Sequence, residues 1–113
     1  RYSRQLKHLI DILIYDEFLT QYKRITSYNQ LGIVNFLAIS VWNTQHGYVQ
    51  VLLQLRPEFH APNGYLHAGL VVTLADTACG YGTFESKPAN ALSFTTIEIK
   101  ANFLGSVREG SIL

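Results

Sequence analysis

The run Leu-Val-Val-Thr-Leu-Ala-Asp-Thr-Ala-Cys at positions 70–79 constrains this chain more than any other feature, because every helical face of it is apolar or small. A helix with no polar stripe is surrounded by protein rather than lying on a surface. It carries one carboxylate, Asp76, and burying an unpaired carboxylate is expensive. Asp76 therefore needs a strong partner, or an environment that holds its proton to unusually high pH. Such groups serve as general bases and concentrate at functional sites, whereas a plain helical Asp more often sits at an edge and caps a loop. Gly64, Gly69, Gly80 and Gly82 around the same element favour the functional reading, since they imply close backbone approach or special dihedrals.

The helix is predicted over residues 66–82, entered from the loop His60-Ala61-Pro62-Asn63-Gly64, in which Asn-Gly is a turn signal. Upstream, the pattern at 37–42 and 48–55 is β-like, with Val49, Val51, Leu53 and Leu55 alternating against Tyr48, Gln50, Leu52 and Gln54. Gln45-His46-Gly47 joins the two as a tight turn, which places His46 in solvent, and Pro57 ends the second strand. Residues 85–90 read as a polar loop. A long strand over 92–104 follows, with Thr95, Ile97, Ile99, Ala101 and Phe103 on one face and Thr96, Glu98, Lys100 and Asn102 on the other. Residues 3–22 space Leu6, Leu9, Ile10, Leu13, Phe18 and Tyr22 as an amphipathic helix, and 26–35 reads as a connection or a short second helix. Residues 1–31 are accordingly expected to form an N-terminal extension, and 32–113 the main domain.

At 113 residues there is room for one such domain. Only 15% of residues are charged against 48% apolar, which suggests that a partner covers some apolar surface. The net charge of +1, without a basic run, leaves no electrostatic footprint for nucleic acid. No stretch has the roughly 18 continuous apolar residues of a membrane span. Cys79 is the one cysteine; it excludes an intramolecular disulfide, fits a reducing compartment and is expected as a small buried thiol. His60 and His67 lie seven apart with no acidic or cysteine partner in a ligand pattern, so neither a metal nor another cofactor is expected.

Three separated blocks carry a resemblance: His67-Ala68-Gly69 followed at fixed spacing by Leu74-Ala75-Asp76, then Thr96-Ile97-Glu98-Ile99-Lys100-Ala101-Asn102-Phe103-Leu104, then Arg108-Glu109-Gly110. Over residues 37–113 the chain resembles the hotdog-fold acyl-CoA thioesterases of the phenylacetate-degradation type. The resemblance implies an α+β hotdog fold, an antiparallel sheet wrapped around a long central helix. Members of that family continue with further strands that fill the sheet between the first hairpin and the strand after the helix, so the sequence is expected to lack its C-terminal strands.

The same resemblance implies roles. Ala68, where the family usually has Gly, supplies a backbone N–H to the developing oxyanion, and Asp76 is the base or nucleophile. His67 orients the loop or contacts substrate, although a histidine at a helix start can equally be a plain cap. Thr96 matches a hydroxyl that orients water, while Asn63, Gly64 and Gly69 fall at substrate-binding positions. One departure stands out: six residues before the histidine, where the family often has Asn, this chain has Ala61. Asn63 can replace it only if the loop is re-aimed.

Spacing adds an independent constraint, because Ala68 and Asp76 are eight positions apart, about 12 Å along a helix that rises about 1.5 Å per residue. One copy cannot bring both to one carbonyl, but two antiparallel helices across a twofold axis can. The expectation is therefore a cytoplasmic acyl-CoA thioesterase acting as a homodimer or dimer of dimers. The alternative is a non-catalytic acyl-CoA-binding sensor, which Ala61 would permit. A hydratase on the same fold would carry a different His and acid motif, and the sequence contains none. The acyl group itself is not specified.

Overall fold

The computed structural model describes residues 32–112; the expected N-terminal extension and its amphipathic helix fall outside the described residues. A single helical turn, α1 (Ile33–Phe36), opens the described part and ends in a left-handed cap. Ala38 takes φ 55°, its N–H donates to Asn35 O, and the Ile39 N–H reaches back to Val34 O. This six-to-one closure usually employs glycine at the left-handed position.

β1 (Ser40–Gln45) and β2 (Tyr48–Gln54) form the expected antiparallel hairpin. Its turn is His46-Gly47, with Gly47 at φ 75° and His46 exposed. The alternation read from the sequence sets the faces, since Val51, Leu53 and Leu55 are buried and Gln54 is not. A bulge between Val41 and Asn43 inserts Trp42 and resets β1, so that Val41 and Thr44 both point inward. β2 then pairs with β3 (Ser111–Ile112), giving an antiparallel sheet in the order β1-β2-β3. The strand stops ahead of Pro57 as expected, and a single 3-10 turn follows over Pro57–Phe59.

The central helix, α2, runs over Ala68–Ser86. It begins two residues later than the pattern suggested and continues past Gly82 to a C-cap at Lys87, just ahead of Pro88. Glycine costs a helix only about 1 kcal/mol relative to alanine, and Gly82 uses its missing side chain to bring the backbone against Val49. The hairpin turn is tied to the far end of α2 by the Gly47 N–H, which donates to Ser86 Oγ at 2.8 Å.

Two expectations are corrected. Among the described residues the helix is not surrounded by protein: within it only Leu74 is buried, and the core is drawn from Val41, Val51 and Leu53 of the hairpin together with Leu37, Ile39, Leu55, Phe59 and Leu66 in the segments around it. An all-apolar sequence specifies that a helix can be covered on every side, whereas the covering must come from other chain segments. Residues 92–104 form no strand, because ladder hydrogen bonds need a neighbour about 4.8 Å away and no described strand lies there. Leu92, Ile97 and Leu104 are 99%, 96% and 97% exposed, so this segment carries apolar side chains that the described residues do not cover.

Candidate active site

The loop before α2 is built to deliver its first residues in one orientation. Gly64 sits at φ 79°, a left-handed conformation that L side chains resist, and its N–H donates to Ala61 O at 2.9 Å. The Asn63 side-chain oxygen accepts from the Tyr65 N–H at 3.1 Å, closing an Asx turn. That oxygen is spent inside the loop, not re-aimed to take the place of the missing Asn at position 61. His60 and Leu66 form a short antiparallel bridge, and the His67 N–H donates to Phe59 O at 2.9 Å.

The first turn of a helix offers N–H groups with no intrahelical acceptor. Here two are already taken: the Gly69 N–H donates to His67 Nδ1 at 2.9 Å, and the Leu70 N–H donates to His67 O at 2.9 Å. The Ala68 N–H donates to no acceptor among the described residues. It is an unengaged donor at the end of the helix where the dipole favours negative charge. His67 is thus the helix N-cap, and in the neutral ring its proton sits on Nε2. Gly69 is needed beneath it, because a Cβ there would lie 3.0 Å from Nδ1 and 3.1 Å from Cε1 of the imidazole.

Asp76 has the partner that its place in an apolar run requires. Thr96 Oγ1 donates to Asp76 Oδ1 at 2.6 Å, tying the segment after α2 back onto the helix. Around this pair lies a groove of about 450 Å3, lined by Asp76, Cys79, Gly80 and Thr83 of the helix and by residues 94–99. Cys79 is exposed on this face, not buried as the sequence suggested, because only the 94–99 segment stands over it.

Ala68 opens into a different space. A cavity of about 820 Å3 lies on the sheet side of α2, with Ala68, Val71 and Leu74 on the helix and Val49, Val51 and Phe103 among its other walls. The two candidate groups therefore face separate spaces within one copy. Four residues singled out in the sequence, His67, Ala68, Asp76 and Thr96, fall into two local pairs joined by the helix. Asn63, Gly64 and Gly69 shape the loop. The sequence weighed His60 only as a metal ligand and gave it no partner; its Nε2 lies 2.7 Å from Arg108 O, and nothing in a local pattern signals a carbonyl 48 residues away. No helix among the described residues is long and apolar enough to cross a membrane.

Comparison with known proteins bears on the fold and the family. Residues 63–113, which contain all seven candidate site residues named from the sequence, match the model of the thioesterase superfamily. The chain is 32% identical to the 1,4-dihydroxy-2-naphthoyl-CoA hydrolase of Listeria monocytogenes over 82 residues, 73% of this chain and 66% of that protein. Among solved structures, a thioesterase from Pseudomonas aeruginosa superposes with a TM-score of 0.72 at 21% identity, covering 80% of this chain and 65% of the other. A thioesterase from Haemophilus influenzae gives 0.71 at 21% identity, covering 80% and 62%. The chain spans 66% and 40% of the lengths of the two curated relatives it matches. The helix, the antiparallel sheet and these superpositions define a hotdog fold, and over residues 63–113 the chain matches the thioesterase superfamily.

Proposed function

We propose that this protein is an acyl-CoA thioesterase whose site is shared between two copies of the chain. The observation that carries the reading is the division of labour at the start of α2, where His67 occupies its neighbours' N–H groups and leaves that of Ala68 free beside an apolar cavity. A thioester carbonyl oxygen accepting from that N–H gains charge in the transition state, and a preformed donor stabilises it most there. Asp76 of the other copy removes a proton from water as the water oxygen attacks the carbonyl carbon; direct attack by the carboxylate is the variant of the same scheme. Collapse of the tetrahedral intermediate breaks the C–S bond, and the departing CoA thiolate takes up the proton. The Thr96 hydroxyl holds Asp76 Oδ1, which leaves Oδ2 to act.

His67 serves this scheme as the cap that aims Ala68. Asn63, Gly64 and Gly69 give the substrate-facing loop its shape. We take residues 32–113 as the catalytic domain, residues 1–31 as an extension to it, and the cytoplasm as its location. Nucleic acid has no part in the scheme and neither does a metal or cofactor. The second reading, an acyl-CoA-binding sensor, draws on Ala61 in place of the family Asn.

Free-thiol release from a panel of acyl-CoA thioesters separates the two. The wild-type chain should hydrolyse at least one member of the panel. Asp76→Asn should remove hydrolysis while leaving acyl-CoA binding largely intact, because the amide keeps the shape and loses the base. Hydrolysis at the wild-type rate in Asp76→Asn would place the acid elsewhere. Binding without turnover in the wild-type chain would establish the sensor.

A further inference from the structure

The loop that carries Ala68 is fastened on its far side to the turn at 107–110, and three contacts do the fastening. The Leu66 N–H donates to Val107 O at 2.8 Å. The Arg108 guanidinium lies over the Tyr65 ring, 4.2 Å from its centroid. His60 Nε2 stands 2.7 Å from Arg108 O, and because a carbonyl only accepts, the imidazole must present Nε2–H there. His60 is also bridged directly to Leu66, which precedes the N-cap His67 and hence Ala68 by one and two residues.

We propose that His60 is a positioning residue for the Ala68 N–H. It touches no reacting atom. Its ring spans from the start of the loop to the Arg108 carbonyl and closes a frame of which the Leu66–Val107 bond is the opposite side, so that the two bridged legs of the loop cannot slide past the turn. The consequence reaches the chemistry because an oxyanion donor works only within a few tenths of an ångström of its place. Displacement by about 1 Å at such a site costs on the order of a hundredfold in rate. The other members of the frame are backbone groups and a stacked pair, and only His60 contributes a side-chain hydrogen bond between the two segments.

This inference rests on the thioesterase reading, so the test includes a measurement that does not. In the full chain, His60→Leu removes the donor, and His60→Gln restores an N–H at nearly the same reach. For thioester hydrolysis, the Leu variant should lose about 10- to 100-fold in kcat with KM within about threefold of wild type, since the donor acts in the transition state. The Gln variant should recover kcat to within about threefold. In 15N–1H spectra the Leu66 and Ala68 amide resonances should move in the Leu variant and stay near their wild-type positions in the Gln variant. If His60→Leu does not fold, the shorter His60→Asn takes its place under the same criteria.

The proposal is overturned by wild-type kcat in the Leu variant, by a loss of kcat with the two amides unmoved, or by a folded Gln variant as slow as Leu. Should the wild-type chain hydrolyse no thioester, the functional reading fails by itself. The amide shifts still decide whether His60 sets the position of Ala68.

Discussion

Gly80 and Gly82 lie two positions apart in the same helix, yet alanine should have opposite consequences at them. Replacing a helix-interior glycine by alanine is worth about 0.5–1 kcal/mol from backbone entropy alone. A Cβ at Gly80 meets nothing within 4 Å, so Gly80→Ala should stabilise the fold by nearly that whole amount. At Gly82 the new Cβ would stand 3.3 Å from Val49 Cγ1 and 3.9 Å from Val49 Cβ. That first contact is tight enough that β2 or the Val49 side chain has to give by a few tenths of an ångström, and overpacking of this kind costs about 1–3 kcal/mol. The net for Gly82→Ala is then between about zero and 2.5 kcal/mol of destabilisation. Urea melts of the two variants, compared at equal m-value, measure the difference directly, and a 1 kcal/mol gap corresponds to about 4–8 °C in Tm for a domain of this size. If Gly82→Ala proves as stable as Gly80→Ala, α2 does not approach β2 as described, and the cavity walls built on that approach go with it.

Ala38 holds the left-handed cap of α1, a conformation that costs a non-glycine residue about 1–2 kcal/mol. Ala38→Gly relieves it against an unfolded-state entropy of about 0.4–1 kcal/mol, so a gain of about 0.5 kcal/mol is expected, and Ala38→Val should lose at least about 1 kcal/mol. Thermal melts with Val as stable as Ala would contradict the cap. At the site, Thr96→Ser keeps the hydroxyl that donates to Asp76 and should retain thioester hydrolysis within about threefold, whereas Thr96→Val should lose about tenfold in kcat. Steady-state kinetics showing Val equal to Ser would remove Thr96 from the mechanism.

Much of the fold was legible because it follows from local periodicity. The alternation over residues 48–55 sorted the faces of β2 correctly, and the apolar run after Gly69 marked the helix. Its end was misread because two glycines in sequence look like a terminator, while Gly82 in fact serves a close approach to Val49. What the pattern could not carry was anything that needs a second segment. The 92–104 stretch has the composition of a strand, but pairing is a property of two chains of hydrogen bonds, and no described strand supplies the other. Cys79 was expected inside for the same reason, since an apolar helix face says nothing about what lies over it.

The site divides along similar lines. Family resemblance marked His67, Ala68, Asp76 and Thr96, and the need of Asp76 for a partner was physical. That the partner is Thr96, twenty residues away, required coordinates. So did the engagement of the Gly69 and Leu70 N–H groups by His67, which singles out Ala68, and the reach of His60 to Arg108.

The central claim is that Ala68 of one copy and Asp76 of another act on the same carbonyl, and subunit mixing tests it most directly. Ala68→Pro removes the N–H at the first helical position, where proline is otherwise tolerated, and Asp76→Asn removes the base. Each variant alone should be inactive. When equal amounts are unfolded together and refolded, random pairing places about half of the dimers in the mixed state, in which one of two sites joins an intact Ala68 N–H to an intact Asp76. Free-thiol release should then return to about a quarter of the wild-type rate. A mixture that remains inactive despite demonstrated subunit exchange would show that the two groups do not meet across an interface.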